Sequence, residues 1–195
     1  MNDFKVISFY TPDWDYPKYA DLLRKDCLRL DIDHSIVEKT SAKNYVDNCN
    51  IKPFFIKESL EQYQCPVMWV DVDTTINRLP EQLIDESIRQ FDLAVYRDQH
   101  IADKVYVNSI WFNYTQATLK LVEKWCEIIA RSIDDAAFNQ SLKLLEKELK
   151  VLVLPAFQHR ILSWHYHPVP NDGYFVHRLS NSNLKREYKH RVERK

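Results

Sequence analysis

Asp71 and Asp73 stand two residues apart at the end of an apolar run, Val67 to Val70, that Pro66 opens. A run of this length bounded by a proline reads as a buried strand. Polarity then changes abruptly at Asp71-Val72-Asp73-Thr74-Thr75, where the strand's carboxyl end falls. In open α/β sheets, ligands bind in the crevice at the carboxyl ends of the strands. Two aspartates at this spacing share one face of a continuous strand. If the chain turns there instead, their carboxylates still converge on one point. Two hard oxygen donors suit Mg²⁺ or Mn²⁺, which take their remaining ligands from phosphates and water. The chemistry implied is a divalent metal site that holds a diphosphate. The plainer alternative makes both aspartates turn or helix-capping residues.

The elements that must position these carboxylates are readable in order. Lys5 to Tyr10 is a β-rich run closed by Thr11-Pro12-Asp13, and Tyr16 to Leu30 has helical spacing. Asp33 to Val37 reads as a second strand, and Asn44 to Asn50 as a polar helix or loop. Lys52-Pro53 opens a helix through Tyr63, with proline in its first turn. The strand Val67 to Val70 follows. The result is β-α-β-α-β in about 73 residues, the pattern of a doubly wound, mostly parallel sheet. Beyond the aspartates, Pro80 to Gln90 reads as a helix, and Phe91–Tyr96 and Tyr106–Asn113 as strands. Two more helices follow, Ala117 to Ala130 and Asp135 to Glu148, the second with Asp134 as a candidate cap. Leu152 to Pro155 is a late strand, and the end from Lys185 to Lys195 is strongly basic. No repeat or linker interrupts the chain, so one α/β domain over residues 1–195 is expected.

Composition narrows the classes. A chain of 195 residues with 45% hydrophobic and 28% charged residues is that of a globular protein. The formal net charge of −1 gives no global pull toward nucleic acid or membrane. No apolar run approaches the ~20 residues of a transmembrane helix, and Met1 to Lys5 lacks a signal-peptide core. The four cysteines are far apart with no C-x-x-C pair, which argues against structural zinc and for reduced thiols in a cytoplasmic setting. Gly173 is the single glycine, which excludes a P-loop and a G-x-G-x-x-G fingerprint. Any nucleotide must therefore be held some other way, and a metal with basic side chains is the obvious route.

The order of pieces resembles the GT-A family of nucleotide-sugar glycosyltransferases, a Rossmann-like fold with helices on both faces of the sheet. The matching pieces are Ser8 to Thr11, Lys52 to Ile56, Trp69 to Thr74, Val107 to Asn113, Asp134 to Asn139, Leu154-Pro155 and Val176-His177. They span about residues 6–185. The D-x-D with its upstream strand is the specific piece, and the order of the others adds weight.

The resemblance implies roles. Tyr10 and Thr11 would contact the base and ribose of the donor. Lys52 would be a further donor contact, and Lys185 with Arg186 would close over the diphosphate. Asp71 and Asp73 would bind Mn²⁺ or Mg²⁺, Asp71 also within reach of the ribose. His177 would be the third metal ligand, with His165 and His167 as rivals. Imidazole favours Mn²⁺ over Mg²⁺. Asp134 and Asp135 would lie near the reacting sugar as catalytic carboxylates. Asn108-Ser109 departs from the glycine-containing step common after this strand.

The function implied is metal-dependent transfer of a hexosyl or pentosyl unit from a nucleotide diphosphate, with a UDP-sugar as the leading donor, to an acceptor hydroxyl. The acceptor could be a glycan, a lipid, a protein or a modified base. The gly-poor, Lys-, Asn- and Ile-rich composition suggests a phage or bacterial source. One alternative is the same chemistry on hydroxymethylated cytosine in phage DNA, with the basic C-terminal stretch on the phosphate backbone. Another is an inactive nucleotide-binding protein of the same fold. A nucleotidyltransferase ranks lower, because its glycine-rich first loop is absent.

Overall fold

The computed structural model describes residues 4–42, 44–97, 104–161 and 172–178. The first strand, β1 (Lys5–Tyr10), leads through α1 (Tyr16–Arg29) to β2 (His34–Glu38). The chain continues through α2 (Tyr45–Cys49) and α3 (Lys52–Tyr63) to β3 (Val67–Val70). β1 pairs in parallel with both β2 and β3. With so few glycines, Gln64 takes the left-handed conformation (φ 50°) that ends α3, and its amide donates to the Leu60 carbonyl.

After β3 come β4 (Thr74–Ile76), α4 (Glu81–Ile84), β5 (Leu93–Arg97) and β6 (Val105–Phe112). The remaining described elements are α5 (Gln116–Ile129), α6 (Asp134–Leu144), β7 (Val151–Val153), β8 (His159–Ile161) and β9 (Phe175–His177), with short 3₁₀ turns between some of them. The main sheet has the order β2-β1-β3-β6-β5-β7. β6 is antiparallel to both its neighbours, whereas β7 is parallel to β5. The expected mostly parallel sheet is therefore mixed: five strands run one way and β6 runs the other. The cause is local. The link from Arg97 to Val105 is too short for a helical crossover, so β6 must return antiparallel.

Both faces of the sheet are covered. Val67 and Trp69 face a core built with α3, α5 and α6, including Phe55, Leu121, Trp125 and Phe138. Met68 and Val70 face the opposite core with α1, including Ala20, Leu23 and Cys27. Alternate residues of β3 thus enter different cores, which is why the strand is apolar throughout. The order β2-β1-β3 places a topological switch between β1 and β3. β1 leads outward to β2, and the return through α3 lands β3 on its other side. A crevice opens at the carboxyl ends of these two strands.

A second sheet, β4-β9-β8, is built beside that crevice. β4 begins one residue after Asp73 and pairs antiparallel with β9, Thr74 opposite His177. Arg29 donates to the Ile76 carbonyl at 2.5 Å, and Asp26 accepts from the Ile76 amide at 3.1 Å, so α1 braces β4.

Two further expectations change. The helix over residues 80–90 is broken at Asp85, whose extended backbone (φ −76°, ψ 136°) and side chain, accepting from the Ser87 amide at 2.8 Å, start a separate 3₁₀ turn. Asp134 is not a cap either: Ile133 is the N-cap of α6, and Asp134 lies in the first turn with its carboxylate turned elsewhere.

Candidate active site

The chain leaves β3 at Val70 and turns, with the Thr74 amide donating to the Asp71 carbonyl at 2.9 Å. The turn, rather than a continuous strand, brings the two carboxylates together. Asp71 is tethered to the sheet by its own amide, which donates to the Asn108 carbonyl of β6 at 2.9 Å. Its Oδ1 accepts from the Trp69 indole N–H at 3.0 Å. Trp69 is buried against Phe9 and Phe55, so the indole is a fixed donor.

His177 arrives by register. Because it pairs with Thr74, its ring lands beside the residue before Thr74: Nδ1 lies 3.2 Å from Asp73 Oδ1 and 3.3 Å from Thr74 Oγ1. The Arg178 amide donates to the Asp73 carbonyl at 3.0 Å and locks the pairing. One ligand atom each from Asp71, Asp73 and His177 fall within 4.8 Å of one another. Two carboxylate oxygens and an imidazole nitrogen brought this close make a donor set that could hold one metal ion.

Behind this cluster sits a buried ammonium. Lys52, in the first turn of α3, is 5% exposed. Its Nζ lies 3.0 Å from Asp71 Oδ1 and 2.6 Å from Asp134 Oδ2, and donates to the Val107 carbonyl at 3.3 Å. Burial alone would pull the lysine down. The neighbouring carboxylates of Asp134 and Asp71 outweigh it and hold Lys52 above its ordinary value, so it stays charged. Burial pushes Asp134 up to about 7, against the pull of Lys52. Only one oxygen of Asp134 is engaged by Lys52. Its Oδ1 is buried without a hydrogen-bond partner, as is the Oδ1 of Asn108. Both residues line the same cavity. Buried acceptors left unmade are costly, and a hydroxyl or amide donor entering the cavity could satisfy these two.

The cavity has a volume of about 540 Å³, within the range of small-molecule sites, ~300–1,000 Å³. Its walls include Tyr10 and Thr11 at the end of β1, the metal-ligand cluster, and Lys52. Asp134 forms its buried wall, while Asp135 is exposed at its edge. Eight of the nine residues expected from sequence thus line one cavity. The ninth, Lys185, lies outside the described residues, as do Arg186, His165 and His167.

Other lining residues went unread. Tyr45 and Cys49 of α2 enter the cavity, as do Tyr106 of β6 and Ile133. Burial, then neighbouring Cys49, raises the Tyr45 hydroxyl above its ordinary range. The signal available was a tyrosine and a cysteine four apart, which places them on one face of a helical turn. Asn139, matched from sequence near the sugar, serves structure: its side chain accepts from the Val105 amide at 2.8 Å and donates to the Val105 carbonyl at 3.1 Å, fastening α6 to β6.

Comparison with known proteins bears on the fold and the family. One solved structure aligns with a TM-score of 0.69 at 12% identity, covering 96% of this chain and 98% of its own: a glycosyltransferase involved in the glycosylation of the major capsid of PBCV-1. At that identity the likeness speaks for the fold. No curated protein matches the sequence. Among the described residues, no helix is long and apolar enough to cross a membrane. The family model for nucleotide-diphospho-sugar transferases matches residues 13–191, nearly the whole chain, and the protein belongs to that family of glycosyltransferases.

Proposed function

We propose that the protein transfers a hexosyl or pentosyl unit from a nucleotide-diphosphate sugar, a UDP-sugar foremost, to an acceptor hydroxyl with the help of a divalent cation. The observation that carries this reading is the convergence of Asp71, Asp73 and His177 in one cavity with two unsatisfied buried acceptors, Asn108 Oδ1 and Asp134 Oδ1. A cation held by the three ligands supplies positive charge to a departing diphosphate. The remaining work falls to side chains. Tyr10 and Thr11 flank the base and ribose at the end of β1. Lys52 fixes Asp71 and Asp134 in their orientations and balances their charge. Asn108 and Asp134 accept hydrogen bonds from sugar hydroxyls. Asp135, at the open edge, is the carboxylate best exposed to an incoming acceptor. Lys185, in the basic end of the chain, is proposed to close on the diphosphate. The whole chain acts as one catalytic domain in a cytoplasmic setting.

The double variant Asp71→Asn, Asp73→Asn tests the reading. It should lose at least about 100-fold in turnover of the nucleotide sugar while still unfolding cooperatively, since Lys52 keeps Asp134 as a partner. Turnover retained in a folded double variant would refute the metal role. A parent protein that binds nucleotide sugar without turning it over would instead favour the inactive binder of the same fold.

A further inference from the structure

A second cleft, of about 440 Å³, lies against the first. Tyr106 and Ile161 line both, so the two spaces are continuous. The shared wall is layered from flat rings. His159 is stacked between Tyr96, at 5.0 Å and 23°, and Tyr106, at 5.2 Å and 26°. Two apolar side chains stand exposed along it: Phe157 is 61% exposed and Ile161 39% exposed, with Phe157 held by an edge contact to Tyr174. Polar groups supply more of the lining than apolar ones do. Arg97 and Arg160 line the cleft, and Arg160 is oriented by its ion pair with Asp172. His159 Nε2 is buried with no hydrogen-bond partner.

We propose that this cleft binds the acceptor and that the acceptor is a saccharide. The inference rests on the donor assignment of the adjoining cavity. A pyranose offers an apolar C–H face and a ring of hydroxyls. The exposed Phe157 ring and the Tyr106 wall match the first. The guanidinium groups are donors only and match hydroxyl oxygens. The opening at Tyr106 and Ile161 lets one hydroxyl of a bound sugar reach the donor cavity past Asp135. A nucleic-acid acceptor fits less well. Duplex binding needs a run of cations along the backbone, and among the described residues the cations lining the two spaces away from Lys52 are Lys104, Arg97 and Arg160, the last paired with Asp172, set between Phe157, Ile161 and Ile133.

The chemistry balances without another reactant. The acceptor oxygen forms a bond to the anomeric carbon, the bond from that carbon to the diphosphate oxygen breaks with its electron pair, and the acceptor's proton goes to a base or to solvent.

The experiment separates the two spaces. Donor hydrolysis by water, measured with a UDP-sugar and Mn²⁺, reports the donor cavity alone. Transfer to a panel of methyl and p-nitrophenyl pyranosides reports both. Phe157→Ala, at an exposed site, should lower kcat/KM for the accepted pyranoside at least fivefold through KM. Ala156→Trp, which fills the cleft, should lower it at least tenfold. Both should leave donor hydrolysis and donor KM within twofold. A pyranoside kcat/KM within twofold of the parent in either variant overturns the proposal. So does donor hydrolysis with no transfer to any pyranoside, including the case of transfer to hydroxymethylated duplex DNA alone. Absence of both hydrolysis and metal-dependent donor binding in the parent protein would instead overturn the donor reading beneath it.

Discussion

The residue with most leverage is Lys52. Its ammonium is shared between Asp71 and Asp134, so one cation compensates two carboxylates away from bulk water. Removing one partner of such a cluster leaves charge unpaired, which costs about 3–5 kcal/mol. Lys52→Met should therefore lower the melting temperature by roughly 10 °C in a chain of this size. The loss should be larger at pH 8 than at pH 6, because without lysine Asp134 escapes the penalty by taking up a proton. Equal stability of variant and parent at pH 8, by thermal melting, would contradict the pairing. His159 makes a second prediction. Burial, then His177, depresses its folded pKa to about 3, whereas an unfolded histidine titrates near ~6.5. Between these values the unfolded state holds the extra proton, so stability is complete above pH 6.5 and falls as pH drops toward 3. In metal-free protein, His159→Gln should flatten the stability-versus-pH slope between pH 6.5 and 5 by up to about 1.4 kcal/mol per pH unit. Identical slopes by denaturant titration would contradict a buried neutral imidazole. At this scale the carboxylates were legible because their chemistry is written in their type and spacing. Tyr45, Tyr106 and Ile133 were not, since an aromatic or aliphatic residue that lines a cavity looks in sequence like one that fills a core.

Among the elements, α6 carries Asp134 to the site and is anchored by Phe138. That ring packs edge-on against Trp125 at 4.8 Å and against Phe112 at 6.5 Å, and it is wholly buried. Phe138→Ala should cost about 3–5 kcal/mol and depress turnover as well, because the helix that aims Asp134 loses its hold on the sheet. Phe138→Leu should recover most of both, measured by urea unfolding and initial rates. A Phe138→Ala protein as stable as the parent would contradict the packing. The long helices α1, α3 and α5 were readable because they repeat a period over many residues, and β3 because it is a continuous apolar run behind a proline. The strands β4, β8 and β9 have three residues each, too few to show a period, and their pairing joins residue 74 to residue 177. The direction of β6 left no trace in periodicity either. It follows from the shortness of the link before it, which sequence shows only once both strand ends are known. Asp134 failed as a cap for a related reason: a buried lysine 82 positions away outcompetes a local amide for its carboxylate.

For the molecule as a whole, the topology explains why distant residues meet. The switch between β1 and β3 opens the crevice, the turn after β3 folds two carboxylates into it, and the small sheet swings His177 in from the far end of the described chain. The near-neutral net charge leaves attraction of an anionic donor to this local arrangement rather than to a global field. The most direct measurement of the central claim is thermal melting with a panel of nucleotide sugars, each with and without Mn²⁺. A ligand that binds only the folded state raises the melting point by mass action, about 2.7 kcal/mol at a concentration 100 times Kd. The account predicts a metal-dependent rise with one UDP-sugar in the parent and none in Asp71→Asn, Asp73→Asn. A rise of equal size without metal, or one that persists in the double variant, would contradict it.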